Sequence, residues 1–224
     1  MSDERIWTAA LVVIGDEILS GRTHDRNIAQ VASWLQVQGI RLAEVRVVPD
    51  VEERIAEAVN ALRTAHDYLF TTGGIGPTRD DITVDAVALA LEVPVVEHPE
   101  ARRILEKFYA TRGGLNPARL RMARVPQGAD LIPNKMSGAP GIKVGNLFMM
   151  AGVPAIAAQM LDALTGKLEG GDRGMLERSV ETIVNQVQSM KALVNEFRDY
   201  ARLPATRLVA LDLNALVGEV LGLY

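Results

Sequence analysis

The first half of the chain alternates between stretches rich in apolar residues and longer segments with apolar residues at helical spacing. Three apolar stretches predict strands, the first of them buried on both faces: residues 6–14, 40–48 and 67–72. Three segments with apolar residues three and four apart predict helices: residues 25–38, 51–65 and 81–92. This alternating order of strands and helices predicts a parallel sheet with helices on both faces.

The pattern is less regular in the middle of the chain. Residues 93–99 resemble a strand that ends at a proline, and residues 99–114 predict a helix with Pro99 near its start. Residues 141–152 predict a hairpin that turns at Gly145-Asn146, and residues 153–166 predict a closing helix. The fold class expected from these elements is α/β, with a mostly parallel sheet between two helical layers.

The character of the sequence changes at the glycine-rich segment 168–174, which we interpret as a linker after a domain of residues 1–167. From residue 176 to residue 201 the apolar positions alternate in steps of four and three, which is the pattern of a coiled coil or helical bundle. One such helix cannot bury its apolar seam alone, so residues 175–224 predict a helical oligomerisation segment. The last fourteen residues, 211–224, are apolar and show no evident helix cap.

Composition and charge narrow the possible functions. The chain of 224 residues is 48% hydrophobic and 4% aromatic, which allows a mainly aliphatic core. Its net charge of −4 argues against a broad nucleic-acid-binding surface. The absence of cysteine excludes disulfides, thiolate metal sites and a cysteine nucleophile. No apolar run is long enough to cross a membrane, and the polar start lacks signal-peptide features, so a cytoplasmic location is expected.

A loop with three glycines, Gly73, Gly74 and Gly76, follows the third predicted strand and is followed by Asp80 and Asp81. Ligands of parallel α/β sheets bind beyond the carboxyl ends of the strands, and backbone N–H groups there favour phosphate. The two aspartates would repel a bare phosphate, whereas Mg²⁺ can bridge carboxylate and phosphate oxygens. The alternative is a tight turn in which one of the aspartates caps the next helix.

Two further acidic segments are expected at the same edge of the sheet. Asp16 and Glu17 follow Gly15 at the end of the first strand, and Asp50 follows the second strand. Each of these residues alone could be a helix cap or a solvated surface charge. Three strand ends that present carboxylates to one crevice nevertheless favour a site for a divalent cation and a phosphate.

Other polar residues are weaker candidates. His24 follows the first acidic loop, where it could contact a ligand or remain a solvated loop residue. Arg79 could neutralise a phosphate or pair with a neighbouring aspartate. Ser137 opens a loop expected on the ligand side, but no histidine or aspartate stands at positions that would complete a catalytic triad.

Several of these motifs, in this order, resemble the MoaB/Mog-type molybdopterin-binding domain, and the CinA (competence/damage-inducible) branch in particular. The resemblance covers residues 4–167. It rests on these segments: GDEILSG at 15–21, Asn27, VPD at 48–50, TTGGIGPTRDDIT at 71–83, SGAPG at 137–141 and AGVP at 151–154.

The resemblance implies a three-layer α/β/α fold with a molybdopterin or nucleotide site at the strand ends. The molybdenum-cofactor branch adenylylates molybdopterin with ATP and Mg²⁺, whereas the CinA branch includes metal-dependent ADP-ribose pyrophosphatases. Asp50 and Asp81 match the acidic residues associated with the metal. Ile75 departs from the adenylylating enzymes, which prefer threonine in this loop. The deamidase domain of full CinA proteins is not present in this sequence, so deamidation is not expected.

One site is predicted from the residues and the resemblance together. Its expected chemistry is hydrolysis of a nucleotide pyrophosphate; the alternatives are molybdopterin binding or adenylylation, and a non-catalytic oligomerising protein. Asp50, Asp80 and Asp81 are the predicted catalytic residues, with Mg²⁺ or another divalent cation on Asp50 and Asp81. The predicted ligand-binding residues are Gly15, Asp16, Glu17, Gly73, Gly74, Gly76, Thr78, Ser137, Gly138 and Gly152. The expected partners are a pterin or nucleotide and further copies of the chain, with no nucleic acid and no membrane.

Residues 172–224 resemble a different family, the second dimerisation helix of NtrY-type sensor histidine kinases with the start of their ATP domain. The only histidines of the chain are His24, His66 and His98, so the helix with the phosphoacceptor is missing, as are the ATP-binding motifs. Kinase activity is therefore not expected, and an oligomerisation helix is the favoured interpretation.

Overall fold

The structure, a computed structural model, describes residues 5–169, 186–191, 194 and 212–222. The chain divides into two compact units, residues 1–179 and 180–224, which are described separately. In the first unit a central six-stranded sheet has the order β2-β1-β3-β8-β7-β6, and β4 and β5 form a separate two-stranded sheet. The strands are β1 Trp7–Ile14, β2 Ile40–Val48, β3 Tyr68–Thr72, β4 Val95–Glu97, β5 Arg124–Pro126, β6 Asp130–Ile132, β7 Gly141–Val144 and β8 Leu147–Met150.

Four neighbouring strands of the central sheet, β2, β1, β3 and β8, run parallel, and the β7–β8 hairpin adds an antiparallel edge. The helices of this unit are α1 Asp16–Leu19, α2 Asn27–Gln38, α3 Glu52–Ala65, α4 Thr83–Ala90, α5 Pro99–Tyr109, α6 Pro117–Leu120 and α7 Pro154–Leu164, with a 3-10 turn at Arg121–Ala123. The predicted fold class, a mostly parallel sheet between helical layers, is confirmed.

The apolar core lies on both faces of the sheet because β1 and β3 are buried on both sides. From β1, Ala10 and Val12 pack with α3 and α4, whereas Leu11 and Val13 pack with α2 and α7. β3 follows the same alternation, which places Leu69 on the α3/α4 side and Phe70 on the α2/α7 side. Two buried faces explain why these strands appear in the sequence as continuous apolar runs.

Several short elements differ from the sequence prediction. The predicted strand 93–99 is only Val95–Glu97, and it pairs with β5 outside the main sheet. The helix expected over 99–114 ends at Tyr109. β5, β6 and α6 were not predicted, because three- and four-residue elements are too short to show a hydrophobic period.

In the second unit, residues 186–191 and 194 are helical, and α8 spans Leu213–Leu221. Most of the seam predicted over 176–201, and most of the linker at 168–174, lie outside the described residues, so both stay predictions. The expectation that residues 211–224 have no helix cap is wrong. The Asp212 side chain caps α8, because it accepts hydrogen bonds from the amides of Asn214 and Ala215, at 2.9 and 3.3 Å. Within the described ranges, no helix has the length and apolar character needed to cross a membrane.

Candidate ligand-binding site at the strand ends

A cleft of about 650 Å³ opens where the parallel strands end. Gly15 follows β1, Asp50 follows β2, Gly73 follows β3 and Gly152 follows β8, and all four line the cleft. Parallel strands present their carboxyl ends at one edge of a sheet, so four chain segments contribute to one surface. The volume lies within the range of small-molecule sites, which is about 300–1,000 Å³.

The cleft brings together most of the residues predicted from the sequence. Those that line it are Gly15, Glu17, Asp50, Gly73, Gly74, Gly76, Thr78, Asp80, Asp81, Ser137 and Gly152. Two predicted ligand-binding residues, Asp16 and Gly138, do not line it. Asp16 acts through its backbone, and Gly138 (φ +73°) lies against the Phe108 ring, where an added Cβ would come within 2.4 Å of a ring carbon.

The first two glycines of the loop are required by positive φ angles and by close contacts, with backbone at Gly73 and with a side chain at Gly74. Gly73 has φ +102°, and a Cβ there would lie 2.3 Å from the carbonyl oxygen of Ile14. Gly74 has φ +68°, and a Cβ there would lie 2.0 Å from Thr83 Oγ1. The Thr83 hydroxyl itself donates to the Gly73 carbonyl at 3.0 Å. The loop is therefore held against the end of β1 on one side and the start of α4 on the other.

The Asp81 side chain is hydrogen-bonded to Thr78, just after the glycine loop. Its Oδ2 accepts hydrogen bonds from the Thr78 amide at 2.7 Å and from the Thr78 hydroxyl at 2.5 Å. Gly76 lies beneath this carboxylate, so a Cβ there would come within 2.7 Å of Asp81 Oδ2. The alternative in which an aspartate caps the next helix is wrong, because Ile82 occupies the N-cap position of α4 and makes no side-chain cap.

Asp50 lies among other acidic groups. Its Oδ2 accepts a hydrogen bond from the Asp16 amide at 2.9 Å. Partial burial, and then the negative charges of Asp16, Glu17 and Asp81, raise the pKa of Asp50, while the Asp16 amide opposes this rise. Carboxylates from three strand ends thus act on one another electrostatically.

The charge of the cleft fits a divalent cation better than a bare phosphate. Five acidic residues line it: Glu17, Asp25, Asp50, Asp80 and Asp81. The basic residues in the described lining are His24 and Arg26. Among the described residues no group of three or more histidine or acidic side chains forms a metal site. Mg²⁺ is nevertheless commonly held by one or two carboxylates, with the substrate phosphates and water as further ligands, and Asp50 and Asp81 suit that arrangement.

The remaining candidates have different surroundings. His24 lines the cleft, whereas Arg79 is exposed and lies outside its lining. Ser137 Oγ accepts a hydrogen bond from Asn134 Nδ2 at 2.6 Å. In the part of the chain that the structure describes, no histidine or carboxylate is hydrogen-bonded to Ser137, so it has no partner for nucleophilic catalysis.

Two of the lining residues that sequence reasoning missed, Asn27 and Thr72, are buried and polar. Asn27 is 4% exposed and donates from Nδ2 to the Gly152 carbonyl at 2.8 Å. Thr72, the last residue of β3, is 1% exposed. Both residues lie in the motifs that carry the family resemblance, without an assigned role, and Thr72 was also interpreted as the end of a strand. For both residues the signal in the sequence is a polar side chain at a position that the hydrophobic pattern predicts to be buried.

The fold and the cleft define the first unit as a three-layer α/β/α domain with a cleft of small-molecule size at its strand ends. Residues 10–169 match the family described as the probable molybdopterin binding domain, and the chain belongs to this family.

The chain is similar to a CinA-like protein of Citrifermentans bemidjiense, with 39% identity over 172 residues; the match covers 72% of this chain and 42% of the relative. A protein of Aeropyrum pernix is 34% identical over 194 residues, 85% of this chain and 66% of the relative. The chain thus spans only 42% and 66% of the length of these two curated relatives.

Among solved structures, the fold is similar to that of the protein CinA with unknown function from Thermoplasma acidophilum. The two share 31% identity and a TM-score of 0.66 over 71% of this chain and 96% of that one. The resemblance to the CinA branch is confirmed.

Proposed function

We propose that the cleft binds a nucleotide pyrophosphate together with a divalent cation and hydrolyses it, with ADP-ribose as the representative substrate. One observation carries the proposal: the glycine loop and the carboxylates of Asp50 and Asp81 lie in the same cleft, and Asp81 is held directly over Gly76. Phosphate-binding backbone and metal-binding carboxylates are the two components that pyrophosphate chemistry requires.

The glycine loop would hold the phosphates through its later amides. The Gly73 N–H already donates to the Met150 carbonyl at 3.1 Å. The amides of Gly74 and Gly76 have no hydrogen-bond partner among the described residues and line the cleft. These two N–H groups can therefore stabilise negative charge as it develops on a phosphate oxygen.

The carboxylates would divide into two roles. Asp50 and Asp81 would hold the cation, which neutralises phosphate oxygens and lowers the pKa of a bound water. Asp80 is exposed at the rim of the cleft, which suits a group that takes a proton from the attacking water and exchanges it with solvent. The water oxygen forms a bond to one phosphorus, and the bond from that phosphorus to the bridging oxygen breaks. From ADP-ribose the products are AMP and ribose 5-phosphate.

AMP release from ADP-ribose tests this proposal, with Mg²⁺ or Co²⁺ present or removed by a chelator. We expect metal-dependent release by the wild-type protein and its loss in Asp81→Asn. Asp162→Asn, a change of the same chemistry at an exposed position outside the cleft, should retain the activity. Absence of AMP release from folded wild-type protein with either metal would contradict hydrolysis.

The second candidate is molybdopterin binding, which the description of the matched family favours, or adenylylation of the bound pterin. Saturable binding of molybdopterin without turnover of ADP-ribose would support binding, and formation of an adenylylated pterin from ATP would support adenylylation. Ile75 lies in the loop where adenylylating enzymes prefer threonine, so we rank this candidate second.

For the second unit we propose self-association, as the resemblance to a dimerisation helix implies. Val187, Met190 and Val194 follow the three- and four-residue spacing of the seam and are 56%, 67% and 65% exposed. A helix that exposes apolar residues at this spacing is stabilised by a second helix that covers them.

A further inference from the structure

Two buried polar side chains in the wall of the cleft lack a hydrogen-bond partner for one of their atoms. Within the described residues, these atoms are Asn27 Oδ1 and Thr72 Oγ1. Both residues line the cleft and are more than nine-tenths buried. Buried polar atoms in folded proteins are nearly always hydrogen-bonded, so two such atoms in one wall indicate a group that the protein alone does not supply.

The two residues lie on the same side of the sheet. Thr72 continues the alternation of Tyr68 and Phe70, which face the layer of α2 and α7. Asn27 is the first residue of α2. Its side chain is bonded to Gly152, and Gly152 packs against Gly73, the residue after Thr72. Asn27 and Thr72 therefore flank one backbone contact, that between Gly73 and Gly152.

The hydrogen bond to Gly152 fixes which atom of Asn27 is left over. A backbone carbonyl only accepts, so the amide nitrogen of Asn27 must be the atom that faces it. The remaining atom, Oδ1, can only accept a hydrogen bond, and its missing partner must be a donor. The Thr72 hydroxyl can donate as well as accept.

The wall around these atoms is apolar. Ala151, Ile156 and Met160 line the cleft on this side and belong to the core between the sheet and the α2/α7 layer. The acidic residues and the glycine loop supply the rest of the lining. An apolar wall with one acceptor and one hydroxyl suits the edge of a flat heterocycle.

We propose that Asn27 and Thr72 bind the heterocycle of the ligand. Asn27 Oδ1 accepts from its exocyclic amino group, and the Thr72 hydroxyl donates to a ring nitrogen. Adenine and pterin both present an amino group beside a ring nitrogen, so this chemistry fits either ligand source. The assignment rests on the proposed function, because it takes the phosphates to lie at the glycine loop.

The experiment is isothermal titration of the full chain with three probes. These are AMP, purine riboside 5′-monophosphate, which lacks only the amino group, and 6-hydroxymethylpterin. We expect AMP to bind wild-type protein at least about 3- to 10-fold tighter than purine riboside 5′-monophosphate, because the latter leaves Asn27 Oδ1 unpaired. In Asn27→Leu this ratio should fall to about one; a ratio measured on one variant cancels any general loss of affinity.

Thr72→Val supplies the second arm, because it removes the hydroxyl and keeps the shape. It should weaken AMP binding by about 3- to 10-fold. Thr71→Val is the matched control: Thr71 is the adjacent residue of β3, it also has a buried hydroxyl without a described partner, and it is not in the cleft lining. Its AMP affinity should equal that of wild type.

The possible results test the roles of Asn27 and Thr72 separately from the ligand class of the proposed function. If wild type binds 6-hydroxymethylpterin and not AMP, and Asn27→Leu and Thr72→Val each weaken that binding, the same two residues bind a pterin. If wild type binds AMP but not more tightly than purine riboside 5′-monophosphate, the role of Asn27 is wrong. If Thr72→Val binds AMP as wild type does, the role of Thr72 is wrong, and the proposed function still stands. If wild type binds none of the probes, the proposed ligand class fails, and this assignment fails with it.

Discussion

Thr78 donates two hydrogen bonds to one carboxylate oxygen of Asp81, from its amide at 2.7 Å and from its hydroxyl at 2.5 Å. These two hydrogen bonds join the ends of the short segment 78–81, which follows the glycine loop. It also leaves the carboxylate directly over Gly76. The position of the predicted metal ligand therefore depends on a threonine that carries no charge.

Thr78→Val should lower AMP release without abolishing it. The substitution removes the hydroxyl bond and keeps the amide bond, so Asp81 is held less firmly, and a loss of about 3- to 10-fold in kcat/KM is expected. Thr78→Ser, which retains the hydroxyl, is the control and should remain close to wild type. Equal rates for Thr78→Val and wild type would show that the hydroxyl bond has no part in the reaction.

Gly76→Ala and Gly74→Ala should separate activity from stability. At Gly76 the added Cβ meets the end of the Asp81 side chain, which can move, so we expect loss of AMP release with a stability change below about 1 kcal/mol. At Gly74 the backbone has φ +68° and the Cβ meets Thr83, so destabilisation of about 2–4 kcal/mol is expected. Urea unfolding and AMP release on both variants provide the test. A Gly76→Ala protein that is fully active would contradict the placement of Asp81.

The central strands, and the acidic residues that meet at their ends, could be predicted from the sequence because both follow from local pattern. The buried run of β1 and the glycines after β3 place the cleft, since parallel strands end at one edge. The roles of particular atoms depended on tertiary contacts. Three examples are the bond from the Asp16 amide to Asp50, the packing of Gly138 against Phe108 and the bond from Asn27 to Gly152. The residues in these contacts are up to 125 positions apart in the sequence. No spacing rule encodes such pairs.

Met190→Glu should weaken self-association of the full chain. The substitution places a charge on the exposed apolar seam, where a second helix would have to desolvate it. Gln188→Glu adds the same charge at a position two residues away, outside the seam, and serves as the control. Light scattering at several concentrations gives the mass of each protein. A wild-type protein that is monomeric throughout, or a Met190→Glu protein that assembles as wild type does, would contradict self-association through this helix.

Asp50→Asn should raise stability at neutral pH while it removes AMP release. A raised pKa means that folded protein binds the proton of Asp50 more tightly than unfolded protein does, so the ionised carboxylate destabilises the fold. The contribution of Asp50 is favourable at low pH and is lost as the pH rises through its folded pKa.

At pH 7 the variant should therefore be more stable than wild type, by no more than about 1 kcal/mol because solvent screens the site. The two proteins should converge as the pH falls towards about 3, below the ordinary pKa of an aspartate, where the wild-type carboxyl is largely protonated in both states. Asp67→Asn is a control of opposite sign. Burial acts to raise the pKa of Asp67, but hydrogen bonds from Thr8 and the ion pair with Arg5 lower it overall, so removing this carboxylate should destabilise the protein at pH 7. Urea unfolding from pH 3 to pH 8 measures both effects. A stability difference for Asp50→Asn that does not change with pH would show that the ionisation of Asp50 in its partly buried, acidic surroundings is not its cause.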